Sequence, residues 1–221
     1  MIPDKRIILI AGHYGSGKTN VAVNLALELN KRVEKLAVAD LDIVNPYFRS
    51  KDSQEELKAL GIRLICSEYA NTNVDIPALP ADMYTIIDDK RLHTIIDVGG
   101  DDRGALALGR LAPAIREEND YAMLLVINAY RPLTRTPEDV LEVLREIEVA
   151  GGIPVTGLIN NSNLGVQTTA DDVIRSVEYA QKTAKLTGLP LVMTTVEETL
   201  YPALYETIPD LFPLRLQRRV V

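Results

Sequence analysis

Seven short apolar runs, separated by longer stretches of mixed character, set the rhythm of this chain. They cover residues 6–11 (RIILIA), 35–40 (KLAVAD), 62–66 (IRLIC), 93–98 (HTIIDV), 121–127 (YAMLLVI), 154–160 (PVTGLIN) and 190–194 (PLVMT). Runs this short and this rich in Val, Ile and Leu predict buried strands, and the amphipathic stretches between them predict crossover helices. Four places carry a hydroxyl followed three residues later by a carboxylate, the signature of a helix start: Ser53 with Glu56, Thr136 with Asp139, Thr169 with Asp172, and Thr195 with Glu198. Pro137, at the first helical position, strengthens the second. Residues 67–81 (SEYANTNVDIPALPA) read as a long loop. The pattern predicts a single α/β domain over residues 1–221, a mainly parallel sheet of about seven strands in three layers with helices on both faces.

Composition narrows the function more than the fold. A formal net charge of -7 excludes broad, sequence-independent nucleic-acid binding, which needs many Lys and Arg against phosphates. The opening MIPDKRIILIAGHYG has too short an apolar run for a signal peptide. No stretch approaches the roughly 18 to 20 apolar residues of a membrane span. Cys66, the one cysteine, can form neither an internal disulfide nor a paired-cysteine metal site. The expected compartment is the cytoplasm.

Chemistry enters at AGHYGSGKTN, residues 11–20. Gly12, Gly17, Lys18 and Thr19 match G-x-x-x-x-G-K-[ST], between an apolar strand and an amphipathic helix as the motif requires. Glycines let successive N–H groups converge at the positive end of the helix and cradle phosphates. Lys18 neutralises the β- and γ-phosphates, and the Thr19 hydroxyl enters the shell of a Mg²⁺ ion. The loop positions His13, Gly15, Ser16 and Asn20 complete the candidate nucleotide contacts. Phosphoryl chemistry also needs carboxylates, and two strands end in them: VADLDIVNPYFRS carries Asp40 and Asp42, and TIIDVGGDDRGA carries Asp97 and Gly100. In the latter's D-x-x-G form, Asp97 reaches Mg²⁺ through water and the Gly100 N–H meets the γ-phosphate.

The order GxxxxGKT, Asp-x-Asp, then DxxG resembles the MinD/ParA-like branch of P-loop nucleoside triphosphatases, the CobQ/CobB/MinD/ParA nucleotide-binding domain, over residues 5 to 195. GHYGSGKT with DLDIVNPYFRS and DVGGDDRGA is also similar to a group of bacterial ATP-binding proteins for which no task is assigned. The resemblance implies the three-layer P-loop fold, Asp40 in the outer shell of Mg²⁺, Asp97 as the Walker B carboxylate and Asp42 as the residue that orients the hydrolytic water. Asp101, Asp102 and Arg103 are weaker candidates, for a solvated switch loop. The family's signature Lys, used across an ATP-sandwiched dimer, is here His13, which carries no permanent charge. His13 is therefore either a plain loop residue or a partial stand-in.

Asn160-Asn161-Ser162-Asn163 stands where a guanine reader would place N-K-x-D. No carboxylate occupies its fourth place, which favours adenine and puts Asn160 near the base. NPYFR (residues 45–49) reads as a switch loop, with Arg49 facing a substrate or a second subunit and Tyr47 and Phe48 either exposed to a partner or packed. Arg131 and Arg135 flank another loop at the carboxyl end of the sheet, either against an anion or in solvent. Only eight residues follow Pro213, so the tail with Arg215, Arg218 and Arg219 makes a poor membrane anchor. The functional expectation is a Mg²⁺-dependent ATPase acting as a switch for a client protein, with a nucleotide-dependent homodimer. The alternative is a small-molecule kinase or ATP-dependent ligase. Metal delivery and chromosome partitioning fit the composition poorly.

Overall fold

In the computed structural model, residues 2–41, 51–66, 81–99 and 102–216 are described. The strands are β1 (Ile7–Ala11), β2 (Leu36–Asp40), β3 (Arg63–Cys66), β4 (His93–Asp97), β5 (Tyr121–Ile127), β6 (Gly157–Asn160), β7 (Leu191–Glu197) and β8 (Leu211–Leu214). They form one sheet in the order β3-β2-β4-β1-β5-β6-β7-β8, each neighbouring pair parallel. The helices are α1 (Lys18–Leu29), α2 (Lys51–Ala59), α3 (Ala81–Asp88), α4 (Asp102–Glu118), α5 (Pro137–Gly151), α6 (Ala170–Thr187) and the short α7 (Tyr201–Leu204).

The two-residue period of the strands sorts the core into layers. Ile7, Leu9 and Ala11 of β1 pack with Met83 of α3, Leu111 and Ile115 of α4 and Val140 of α5. Ile8 and Ile10 point the other way, into a core with Val21 and Leu25 of α1 and Leu57 of α2. Both faces of the sheet are thus covered, which is why its strands read as unbroken apolar runs and not as alternating ones. A third, smaller cluster joins Val173 of α6 to Val196, Leu204 and Ile208.

Two of the four expected helix starts are present in full. Thr136 and Asp139 at α5, and Thr169 and Asp172 at α6, exchange side-chain and backbone hydrogen bonds as capping boxes. Hydrogen bonds from the Thr169 hydroxyl and backbone N–H, with Arg175 beside them, hold the Asp172 carboxyl down at about 2. The other two starts are corrected. Ser53 lies inside α2, which begins at Lys51, and Thr195 lies inside β7. The β-branched stretch Thr194-Thr195-Val196 favours extended chain, so the hydroxyl-to-carboxylate spacing there caps nothing. An eighth strand, β8, extends the expected seven. Among the described residues, no helix is long and apolar enough to cross a membrane.

At the amino end of the sheet, one buried cation ties three elements together. The Arg6 guanidinium donates to both carboxylate oxygens of Glu118 at the end of α4. It also donates to the carbonyls of Ile86 in α3, at 2.8 Å, and of Leu92, at 2.9 Å. Lys90 adds a contact to Glu118 at 2.7 Å. Burial acts to raise the Glu118 carboxyl, but the hydrogen bonds from Arg6 and Lys90 outweigh it and hold the group below its ordinary value.

Arg6→Met should therefore lower stability by about 3 kcal/mol, the low end for breaking a buried pair because Lys90 still faces Glu118. A carboxyl depressed in the folded state stabilises above its unfolded value and loses that contribution as pH falls through its folded one. The gap in urea midpoint between variant and wild type should narrow as pH drops below 4.5. A gap that stayed constant with pH would place the effect elsewhere.

Candidate functional site

Sheet order reverses at β1. The chain leaves it to build β2 and β3 on one side, returns through β4, and then adds β5 to β8 on the other. In open α/β sheets such a reversal opens a crevice beyond the carboxyl ends of the strands. The turn from β1 into α1, residues 12–17, lies in that crevice. It closes on itself through a hydrogen bond from the Ser16 N–H to the His13 carbonyl, 3.1 Å. Close approach demands the first glycine: a Cβ on Gly12 would stand 2.7 Å from Ser16 Oγ and 2.9 Å from the Val126 carbonyl. Conformation demands the last, since Gly17 has φ +87° and a Cβ there would stand 2.3 Å from Asn161 Nδ2.

Helix α1 starts differently from α5 and α6. Its N-cap, Gly17, supplies no side-chain hydrogen bond, and its first turn has no acidic residue. The other two carry capping boxes and two carboxylates each in the first turn. The positive end of α1 is thus left for an outside anion, beside a Lys18 that is only 6% exposed. Ser16 is buried, while His13, Thr19 and Asn20 are half-buried and Gly15 is exposed.

Asp40 and Asp97 are the last residues of β2 and β4 and stand opposite each other in register. They are 4% and 1% exposed. Two neighbouring parallel strands hold such residues about 4.8 Å apart at the backbone. The Thr19 hydroxyl donates to Asp97 Oδ2 at 2.5 Å, so Thr19 and Asp97 meet, with Asp40 alongside. Among the described residues, no group of three or more His, Cys, Asp and Glu is arranged to hold a metal. One hydroxyl and two carboxylates instead make a partial oxygen shell, and these donors fit Mg²⁺, which takes few protein ligands and completes its octahedron with phosphate and water. Asp42, Gly100, Asp101, residues 45–49, Arg218 and Arg219 lie outside the described residues.

Asparagines at the end of β6 divide the work. Leu158 faces the core shared with α6, and Asn160, two residues on, follows it. Its amide donates to Ser176 Oγ at 2.9 Å and accepts from the Ser162 hydroxyl at 2.7 Å. Asn160 is fully buried and shapes the turn from within. Asn161 falls on the opposite face, with Ile159 and α1. It donates to the Ser16 carbonyl at 2.7 Å and accepts from Thr195 Oγ1 at 2.7 Å, tying the loop after β1 to β7. The residues from 1 to 160 offered no sign of this tie, but the strand's alternation carried past its last residue would have separated the two asparagines. Next to this tie a cavity of about 100 Å³ is lined by Gly17, Asn20, Asn163, Val196, Glu197 and Leu214, among others. That volume suits a single ring system; a drug-sized ligand takes about 300 Å³ or more. Asn20 adjoins it and accepts from Asn24 Nδ2 through its own carbonyl at 2.8 Å.

A family model described as the CobQ/CobB/MinD/ParA nucleotide binding domain matches residues 7–166. No curated protein sequence matches. Among solved structures, FtsY from Mycoplasma mycoides is 18% identical with a TM-score of 0.58, the match covering 90% of this chain and 62% of that one. The cell division protein FtsY of Thermotoga maritima is 18% identical at a TM-score of 0.57, with 90% and 64% covered. The signal recognition particle receptor FtsY from Elizabethkingia anophelis, in complex with GDP, is 16% identical at 0.52, with 99% and 62% covered. This chain spans about three-fifths of the length of each. At such identities the likeness is one of fold.

Asn161→Ala should leave the buried Ser16 carbonyl without its side-chain donor and reduce Thr195 Oγ1 to its longer bond with the Asn160 carbonyl, 3.3 Å, at a cost of about 1 to 3 kcal/mol in denaturant unfolding. Asn161→Asp should cost at least as much, because a carboxylate cannot donate to the Ser16 carbonyl. Wild-type stability in both variants would show that the tie is not made.

Proposed function

The chain belongs to the CobQ/CobB/MinD/ParA nucleotide-binding domain family, and on that premise we propose that it is a Mg²⁺-dependent ATPase that acts as a nucleotide-driven switch for a client protein, residues 1–221 working as one nucleotide-binding domain. The observation that carries the proposal is the convergence of an uncapped α1, buried Lys18 and the Thr19–Asp97 pair at the carboxyl end of β1. A phosphate chain fits that arrangement because its negative charge answers the helix end and the ammonium together.

In this reading the N–H groups of residues 13–19 hold the phosphates, and Lys18 draws charge off the β- and γ-phosphates as the terminal bond breaks. Thr19 and Asp97 would hold Mg²⁺, with Asp40 beside them, and the ion would neutralise phosphate charge. Asp42, two residues past the end of β2, orients the attacking water, and Gly100 senses the γ-phosphate. The cavity beside Asn161 takes the base. Asn163, the fourth residue of Asn160-Asn161-Ser162-Asn163, stands where a guanine reader would carry a carboxylate, which supports adenine. Loss of the γ-phosphate releases the loops that follow β2 and β4 and so ends the client-bound or dimeric state.

Lys18→Ala should weaken ATP binding by about a hundredfold or more, since it removes charge-assisted bonds to two phosphates; titration calorimetry with ATP and GTP side by side also settles the base. An unchanged constant would remove the loop from nucleotide binding. Asp42→Ala should keep ATP and lose turnover. Light scattering of that variant should show a doubled mass in Mg-ATP and a monomer in Mg-ADP; one mass in both, with ATP shown to be bound, would end the dimeric switch and point to an acceptor substrate.

A further inference from the structure

Arg131 lies directly over the phosphate loop. A Cβ built on Gly15 would stand 3.7 Å from Arg131 Nε, 3.8 Å from Cζ and 3.9 Å from Cδ. Gly15 has φ +78°, and a Cβ there would be in ordinary van der Waals contact with the arginine stem and guanidinium, so the side chain rests against the loop. The two residues come from different sides of the crevice, Gly15 from the turn after β1 and Arg131 from the turn after the neighbouring β5.

The turn that carries Arg131 is held at almost every amide. The Ala129 N–H donates to Ser162 Oγ at 2.9 Å, the Tyr130 N–H to Asn128 Oδ1 at 2.9 Å, and the Arg131 N–H to the Asn128 carbonyl at 3.1 Å. The Thr134 hydroxyl donates back to the Asn128 carbonyl at 2.8 Å. Pro132 follows, and Arg131 is extended, with φ −112° and ψ 136°, as a residue before proline prefers. An arginine on so fixed a base loses little further freedom when it takes a ligand. It is exposed, and among the described residues its guanidinium has no carboxylate partner.

We propose that Arg131 contacts the terminal phosphate of the bound nucleoside triphosphate within the same chain and sets the preference for triphosphate over diphosphate. The inference rests on the nucleotide reading above. It also answers the loop's own composition: position 13 is a histidine with no permanent charge, and Lys18 is the loop's one fixed cation. A guanidinium fork matches phosphate oxygens two at a time, whereas a lysine there would act as a point charge.

The test compares Kd for ADP and for a non-hydrolysable imido analogue of ATP, at fixed Mg²⁺, in the wild type, Arg131→Gln and Arg131→Lys. Arg131→Gln should weaken the triphosphate analogue about tenfold to a hundredfold and ADP less than about twofold, with Arg131→Lys between. Melting of the nucleotide-free protein should be unchanged, since the side chain is exposed and, among the described residues, without an ion pair. Equal weakening of both nucleotides, or none, would overturn the assignment while leaving the nucleotide site in place. A wild-type chain that bound neither nucleotide would instead overturn the nucleotide reading, and this inference with it.

Discussion

Two carboxylates that end neighbouring strands inside the protein govern the carboxyl edge of the sheet. Asp40 and Asp97 face each other in register, and both are almost wholly buried. Buried like charges at this spacing are costly unless cations and hydrogen-bond donors surround them. The Thr19 hydroxyl supplies one donor. It can do so only because Gly17 turns the chain into α1 at a left-handed φ and brings Thr19 to the end of β4. Loop, helix start and strand ends thus form one electrostatic unit, in which a divalent cation is a natural complement to the carboxylates and a phosphate chain to the helix.

The far edge of the sheet makes that unit rigid. Arg6 precedes β1 and fastens its start to α3 through the Ile86 carbonyl, to the turn before β4 through the Leu92 carbonyl, and to α4 through Glu118. Five residues later the same strand delivers the phosphate loop. Because β1 is central and wholly buried, a shift at Arg6 has no slack to absorb it before Gly12. Polar ties therefore sit at both ends of an apolar strand, the amino end holding the scaffold and the carboxyl end holding the site.

Much of the fold was legible because buried parallel strands leave a strong trace. Tyr121–Ile127 was bounded to the residue, and the two capping boxes were read from four side chains. What escaped notice shares a cause, namely that local signals compete. In β8, Pro213 interrupts a run of four residues, so Leu-Phe-Pro-Leu resembles a turn until the strand is seen pairing with β7. Thr195 has the spacing of a cap but the neighbours of a strand. At Asn160-Asn161 the composition was informative and the direction was not; a single residue moves a side chain to the other face of the sheet. The candidate phosphate and metal residues stand out in the sequence, since glycine, lysine and threonine at fixed spacing have few other uses together.

The two halves of a bound nucleotide would be coupled through α1. The cavity proposed for the base is closed on one side by Leu214, at the end of β8, and Leu216, and on the other by Gly17 and Asn20 of the phosphate loop and α1. Asn24, one turn further along α1, accepts from the Arg215 N–H at 2.8 Å and donates to its carbonyl at 3.1 Å. Asn161 meanwhile binds the Ser16 carbonyl and Thr195 together. The wall of the cavity and the floor of the phosphate loop are therefore pinned to the same helix. A base in the cavity would restrain residues 214–216, which bear on α1 through Asn24, and α1 carries Lys18 and Thr19. On the proposed placement, affinity for the base and grip on the phosphates would then rise together, although the two ends of the nucleotide would touch different strands of the sheet.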